Sequence, residues 1–231
     1  MPAAVKPPYL EKVEVRGKFQ VWSVDGAWIR AQKDEEFTNF GQHYRYLYIP
    51  VDEFWIDREA GSGEVKFFVE HLLVEQRLMA QGMPYEKALE AADRAERKER
   101  RRAGDLKRLT ANGHKLPDGH DVHKHLWKHL ESSLCVWVVS GRLVRSVFDI
   151  DFTAGGHEFV YEFVPSNEVW IDDDIEELER GYVLLHELHE RNRMSQGMPY
   201  SKAHAESSHI EYHCRQHPDE LHDALAAEGW A

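Results

Sequence analysis

The sequence predicts an α+β protein built as an internal tandem duplication, each copy a small antiparallel sheet followed by two helices. Two observations carry this. Residues 21 to 96 align without a gap on residues 136 to 211 at an offset of 115, with about 27 of the 76 paired positions identical, more than chance gives across segments of mixed strand and helix character. Within each copy, short runs rich in aromatic and β-branched residues come first, and longer helical patterns punctuated by Gly and Pro come after. Sheets and helices grouped in that order make an α+β layer arrangement.

Each copy opens with a strand, Val21 to Val24 and Val136 to Val139, followed by Asp25-Gly26 and Ser140-Gly141, which read as turn signals. A second strand is expected over 28–31 and 143–147. After a loop holding Phe37, Thr38 and Gly41, or Phe152, Thr153 and Gly156, period-two spacing places Tyr44, Tyr46 and Tyr48 on one strand face, with Phe159, Tyr161 and Phe163 as their counterparts. Such a stripe reads as core. Pro50 and Pro165 end that strand, and 53–57 and 168–172 form another, whose Trp55 and Trp170 read as fold anchors. Helices are expected over 64–81 and 175–196, ending at Gly82 and Gly197, where positive φ suits glycine. Pro84 and Pro199 then open second helices, at a position that needs no backbone N–H.

The repeat divides the chain into a first unit (1–100), a basic then histidine-rich linker (101–135) and a second unit (136–231). In the linker, the run 94–108 reads as a solvated helix end, Asn112-Gly113 and Pro117-Asp118-Gly119 as turns, and the stretch 120–129 as polar and turning helical towards Leu134.

A net charge of −12 argues against general nucleic-acid binding. No apolar run approaches the roughly 20 residues of a membrane span, and the N-terminus has no secretory pattern, so a cytoplasmic location is expected. Cys135 and Cys214 form no disulfide framework.

Fifteen histidines are many for this length, and eleven lie between His114 and His213. On the second copy's first helix, His186 and Glu190 are four apart and project from adjacent turns, with Glu187 beside His186. His204 and Glu211, seven apart on the next helix, share a face that can meet them if the helices pack antiparallel. His186, Glu190, His204 and Glu211 are the candidate metal ligands, and Glu187 is the candidate catalytic base. Mixed nitrogen and oxygen ligation suits zinc first, with iron or manganese less favoured. The first copy keeps His71, Glu75 and Glu96 but has Leu72 and Leu89 where the second has Glu187 and His204, so it is read as a degenerate, metal-free counterpart. The retained His and Glu can equally make a structural hydrogen bond, with the retained Tyr85 and Tyr200 as candidate partners. His209, His213 and His217 fall about 140° to 220° around the helix from His204 and read as a surface stripe.

The segment LLHELHER, followed by GMPYSKAH and a later glutamate, resembles short zincin-like metallopeptidase domains of bacterial and phage proteins, over residues 155 to 215. The resemblance implies that His186 is a metal ligand, that Glu187 activates a metal-bound water, and that His204 or Glu211 is a ligand from the following helix. Glu190 stands where that family has its second histidine. Two functions follow as expectations: a zinc-dependent, peptidase-like hydrolase with its site in the second copy, or a non-catalytic tandem binding or assembly module, with a phage particle as one context, whose His and Glu pairs are structural. Neither a substrate nor a protein partner is legible.

Overall fold

A computed structural model describes residues 6–60, 63–110, 117–130 and 133–230. The chain divides into two compact units, 1–108 and 109–231. The first contains β1 (Tyr9–Arg16), β2 (Phe19–Val24), α1 (Gly26–Gln32), β3 (Phe40–Gln42), β4 (Glu53–Asp57), α2 (Val65–Ala80) and α3 (Tyr85–Ala103), with α4 (Asp105–Thr110) at the boundary. The second repeats the series as β5 (His123–His129), β6 (Cys135–Val139), α5 (Gly141–Val147), β7 (Gly155–His157), β8 (Glu168–Asp172), α6 (Glu177–Ser195) and α7 (Tyr200–Gln216), and adds α8 (Leu221–Ala227). The duplicated α+β arrangement is therefore present in both units. Among the described residues, no helix is long and apolar enough to cross a membrane.

The sheets are mixed where antiparallel ones were expected. Their orders are β1-β2-β4-β3 and β5-β6-β8-β7, and the central pairs β2–β4 and β6–β8 run parallel. Parallel neighbours need a crossover connection, and each unit provides one because residues 28–31 and 143–147, expected as strands, are helical in α1 and α5. Asp25 caps α1 by accepting from the Trp28 N–H at 3.0 Å. Gly26 lies so close to β4 that a Cβ there would stand 1.7 Å from Asp57 Oδ2, and at Gly141 the corresponding distance to Asp172 is 1.9 Å. Arg30, one turn on, reaches Asp57 at 2.8 Å and Glu59 at 2.7 Å, and Arg145 reaches Asp172 at 2.5 Å. A Gly–Arg–Asp junction thus decides the helix against the strand preference of Trp28 and Ile29.

Both faces of each central pair are covered, as parallel strands require. In the first unit Val21, Phe54 and Ile56 pack on Phe68, Val69 and Leu72 of α2, while Val24 and Trp55 pack on Ile29, Phe37, Tyr46 and Ile49. The second unit repeats both clusters. Trp55 and Trp170 are buried and donate to Glu53 and Glu168 at 2.8 Å, which bears out their reading as anchors.

The aromatic stripe is not a strand. Residues 43–49 form consecutive turns, with Tyr46 N–H donating to Gln42 and Ile49 N–H to Tyr46. Tyr46 is buried against Gly41, whereas Tyr44 and Phe159 are exposed, so only part of the stripe is core. The histidine-rich stretch is likewise no linker helix: a 3-10 turn capped by Asp118 leads into β5, the edge strand of the second sheet. Asn112-Gly113 lies outside the described residues. In the basic run, Arg100 is buried between Glu64 and Glu96. Gly82 (φ 87°) and Gly197 (φ 90°) end α2 and α6 as expected.

Gly26→Ala and Gly141→Ala should each destabilise their unit by about 1–3 kcal/mol, since the added methyl must displace a buried, ion-paired carboxylate. Urea unfolding midpoints test this; an unchanged midpoint in both variants would remove the junction's assigned role.

Candidate metal centre

The α6–α7 pair holds the site. Glu179 meets Arg215, His186 meets Glu211, and Glu190 meets His204, so the helices run antiparallel from the turn at Gly197. Across the pair runs a partly buried chain of charges. Glu179 accepts from Arg215 at 2.6 Å, Glu211 Oε1 accepts from Arg215 at 2.8 Å, and Glu211 Oε2 accepts from His186 Nδ1 at 2.9 Å. His186 Nε2 then stands 3.7 Å from Glu190 Oε2. The first unit contains the same chain: Arg100 to Glu64 at 2.6 Å, Arg100 to Glu96 at 2.8 Å, His71 Nδ1 to Glu96 at 2.9 Å, and His71 Nε2 to Glu75 at 3.5 Å. The degenerate counterparts His71, Glu75 and Glu96 are therefore a working structural set.

Around this shared chain the units differ at neighbouring positions. His204 takes the place of Leu89, and its Nδ1 lies 3.1 Å from His186 Nε2 and 2.9 Å from Glu190 Oε2. Glu187 takes the place of Leu72, and Gly155 that of Phe40. In the first unit the Phe40 ring packs 4.9 Å from the His71 ring and 4.6 Å from Phe68. In the second, a Cβ on Gly155 would come within 2.9 Å of Glu187, so the glycine makes room for that carboxyl. His157 replaces Gln42, and both contact the retained glutamate: His157 Nε2 lies 3.1 Å from Glu190 Oε1, and Gln42 donates to Glu75 at 2.7 Å. Val160 replaces Arg45, whose guanidinium lies over Tyr46 and Tyr85 in the first unit. Tyr200, the counterpart of Tyr85, places its ring 5.4 Å from that of His204.

The expected residues thus converge unequally. His186, Glu190 and His204 bring donor atoms within 4.8 Å of one another. Glu211 holds the opposite nitrogen of His186 and so orients the ring. Glu187 is buried beside Glu190 and His157. His189, the other histidine of the helix motif, turns away to donate to Glu228 at 2.7 Å. His209, His213 and His217 are exposed, in keeping with a surface stripe. The residues missed in the sequence are His157 and Gly155; the signal was the Gln42/His157 and Phe40/Gly155 differences between the copies.

Electrostatics follow from this crowding. Burial pushes the Glu187 carboxyl up to about 7, with the charge of the His186 ring pulling against it. Burial also disfavours charge on Glu190, but hydrogen bonds from His157, His186 and His204 hold its carboxylate well below the usual range. Burial lowers the His186 pKa less than its hydrogen bonds to Glu190 and Glu211 raise it, to about 10. The ring thus carries a proton that a divalent cation at Nε2 would replace. Other acidic or histidine groupings already have partners: His123 donates to Glu168 where Tyr9 donates to Glu53, and Asp172 and Asp173 are paired with Arg145 and Lys124.

In the first unit, burial opposes the His71 charge, but Glu75 and Glu96 raise its pKa to about 9. A folded-state pKa above the ordinary 6.5 means that stability is fully present below about pH 6.5 and is lost as pH rises through about 9. Native-state hydrogen exchange of α2, corrected for intrinsic rates, should show this loss in the wild type and a flatter profile in His71→Gln. Parallel profiles would refute it.

Compared with family models, curated proteins and solved structures, the chain matches none.

Proposed function

We propose that the second unit is a metal-dependent hydrolase of peptidase-like type, binding one zinc ion through His186 Nε2, His204 and Glu190 Oε2. The observation that carries this reading is the clustering of copy-specific residues around the retained His186–Glu190 pair: His204 and Glu187 bring donor atoms to it, and Gly155 makes room for Glu187. A tetrahedral zinc site with bonds of about 2.05 Å separates its ligand atoms by about 3.3 Å. The three separations here, 2.9, 3.1 and 3.7 Å, bracket that value. The donor set also accepts iron or manganese, though nitrogen-rich ligation favours zinc.

His186, His204 and Glu190 would hold the ion, and the His204 side chain, 38% exposed, would leave it within reach of solvent. Bound zinc supplies Lewis acidity and lowers the pKa of its water to about 7. Glu211 fixes the His186 ring so that Nε2 faces the site. Glu187, buried and with a carboxyl raised to about 7, would be the chain's own group for holding and releasing a proton beside a metal bound there. The alternative, a non-catalytic tandem module, is favoured by one observation: the first unit keeps the whole charge chain without His204 or Glu187.

Metal content by plasma mass spectrometry on untagged protein decides between them. One zinc per chain is expected, lost in His186→Ala and in His204→Ala, with Glu187→Gln retaining zinc while cleavage of a fluorogenic peptide library falls by about 10²–10⁴-fold. No uptake after reconstitution with zinc, iron and manganese would end the hydrolase reading and leave the binding module.

The first unit offers the converse test. His71 Nε2 is buried without a hydrogen bond, and Glu75 stands beside it. Phe40→Gly with Leu89→His should therefore raise zinc uptake from one equivalent to two; uptake unchanged at one would show that the ligand trio is insufficient.

A further inference from the structure

We infer that His157 is a positioning residue of this site: with its proton on Nε2 it anchors one oxygen of Glu190, leaves the other to the metal, and does not touch the metal itself. The inference rests on the metal-site reading above and on a comparison that the duplication makes available. His157 and Gln42 end the equivalent strands β7 and β3. Gln42 Oε1 accepts from the Tyr44 N–H at 2.7 Å, and its Nε2 donates to Glu75 Oε1 at 2.7 Å. His157 repeats both contacts. Its Nδ1 accepts from the Phe159 N–H at 3.3 Å, and its Nε2 lies 3.1 Å from Glu190 Oε1.

These neighbours determine where the proton sits. A ring nitrogen facing a backbone N–H must present a lone pair, and one facing a carboxylate must present a hydrogen. His157 is 0% exposed, so water does not compete for either contact. With hydrogen on Nε2, no lone pair remains there for a metal. The grouping of His157, Glu187 and Glu190, whose donor atoms also lie within 4.8 Å, is therefore not a second ion site. Glu190 is held as a one-oxygen ligand instead: Oε1 accepts from His157, while Oε2 faces His204 at 2.9 Å and His186 at 3.7 Å. An imidazole does this with one fewer torsion than a glutamine, so less side-chain freedom is lost in aiming the carboxylate.

The other half names the conservative replacement. In the full chain, zinc affinity is measured by competition with a chromophoric chelator for wild type, His157→Gln and His157→Leu, alongside urea stability. His157→Gln should bind zinc within about threefold of wild type, and His157→Leu about 10–100-fold more weakly. Long-range ¹⁵N spectra should show the His157 proton on Nε2 in both metal-free and zinc-loaded protein. The inference is overturned if His157→Gln abolishes uptake as His186→Ala does, if it reduces two bound ions to one, or if the spectra place the proton on Nδ1. Should the wild type bind no metal, the hydrolase reading falls on its own, and the metal-free spectrum still decides the role of His157. Should His157→Leu fail to fold, His157→Gln and the spectra carry the test.

Discussion

The chain Glu–His–Glu–Arg–Glu across each helix pair, buried in the first unit and partly buried in the second, is the interaction on which the rest of each unit depends. Five ionisable side chains leave water together, and a buried charge is tolerated only when its partners are in place. The chain meets that condition by spacing: partners four apart on one helix face partners four apart on its neighbour, so every carboxylate finds a cation. Removing one member strands another, at a cost of about 3–5 kcal/mol. Such a chain sets the register of the two helices far more sharply than apolar contacts alone, because a slip of one turn breaks the links that cross between them, His71 to Glu96 in the first unit and His186 to Glu211 and Glu179 to Arg215 in the second.

That constraint explains how a site arises on one unit and not the other. The chain already fixes a histidine with one nitrogen bound and the other facing a glutamate, which is the oriented ligand and supporting carboxylate that metal sites use. Copy two adds three features around it: a second histidine one helix away, a carboxyl beside the first, and a glycine that makes room for that carboxyl. In copy one, Phe40 and Leu72 fill the same region with apolar packing. The chemistry proposed here is thus a local alteration of a structural clamp, and the clamp remains intact in both units.

The order of the central strands follows from a second buried pair, Arg30 with Asp57 and Arg145 with Asp172. It draws the segment after the first central strand into a helix across the sheet, and the next long strand must then return parallel. Local preference in this segment points the other way, since Trp28, Ile29 and Leu143 suit strands. A contact 27 residues distant in sequence decided it.

The duplication, the helix pair with its Gly and Pro boundaries, the strands at 53–57 and 168–172, and the His186, Glu190 and His204 trio were all legible in the sequence. Each is set by short-range periodicity or by identity between the copies. The parallel pairing, the helices at 26–32 and 141–147, the turns that replaced the aromatic strand, and the edge strand rich in histidine and lysine were decided only in three dimensions. β5 has no apolar alternation to announce it, because its ladder is made by backbone groups. The same limit hid His157, whose meaning lies in a carboxylate 33 residues away. Spacing along a helix can place side chains on a common face; only tertiary packing determines what that face meets.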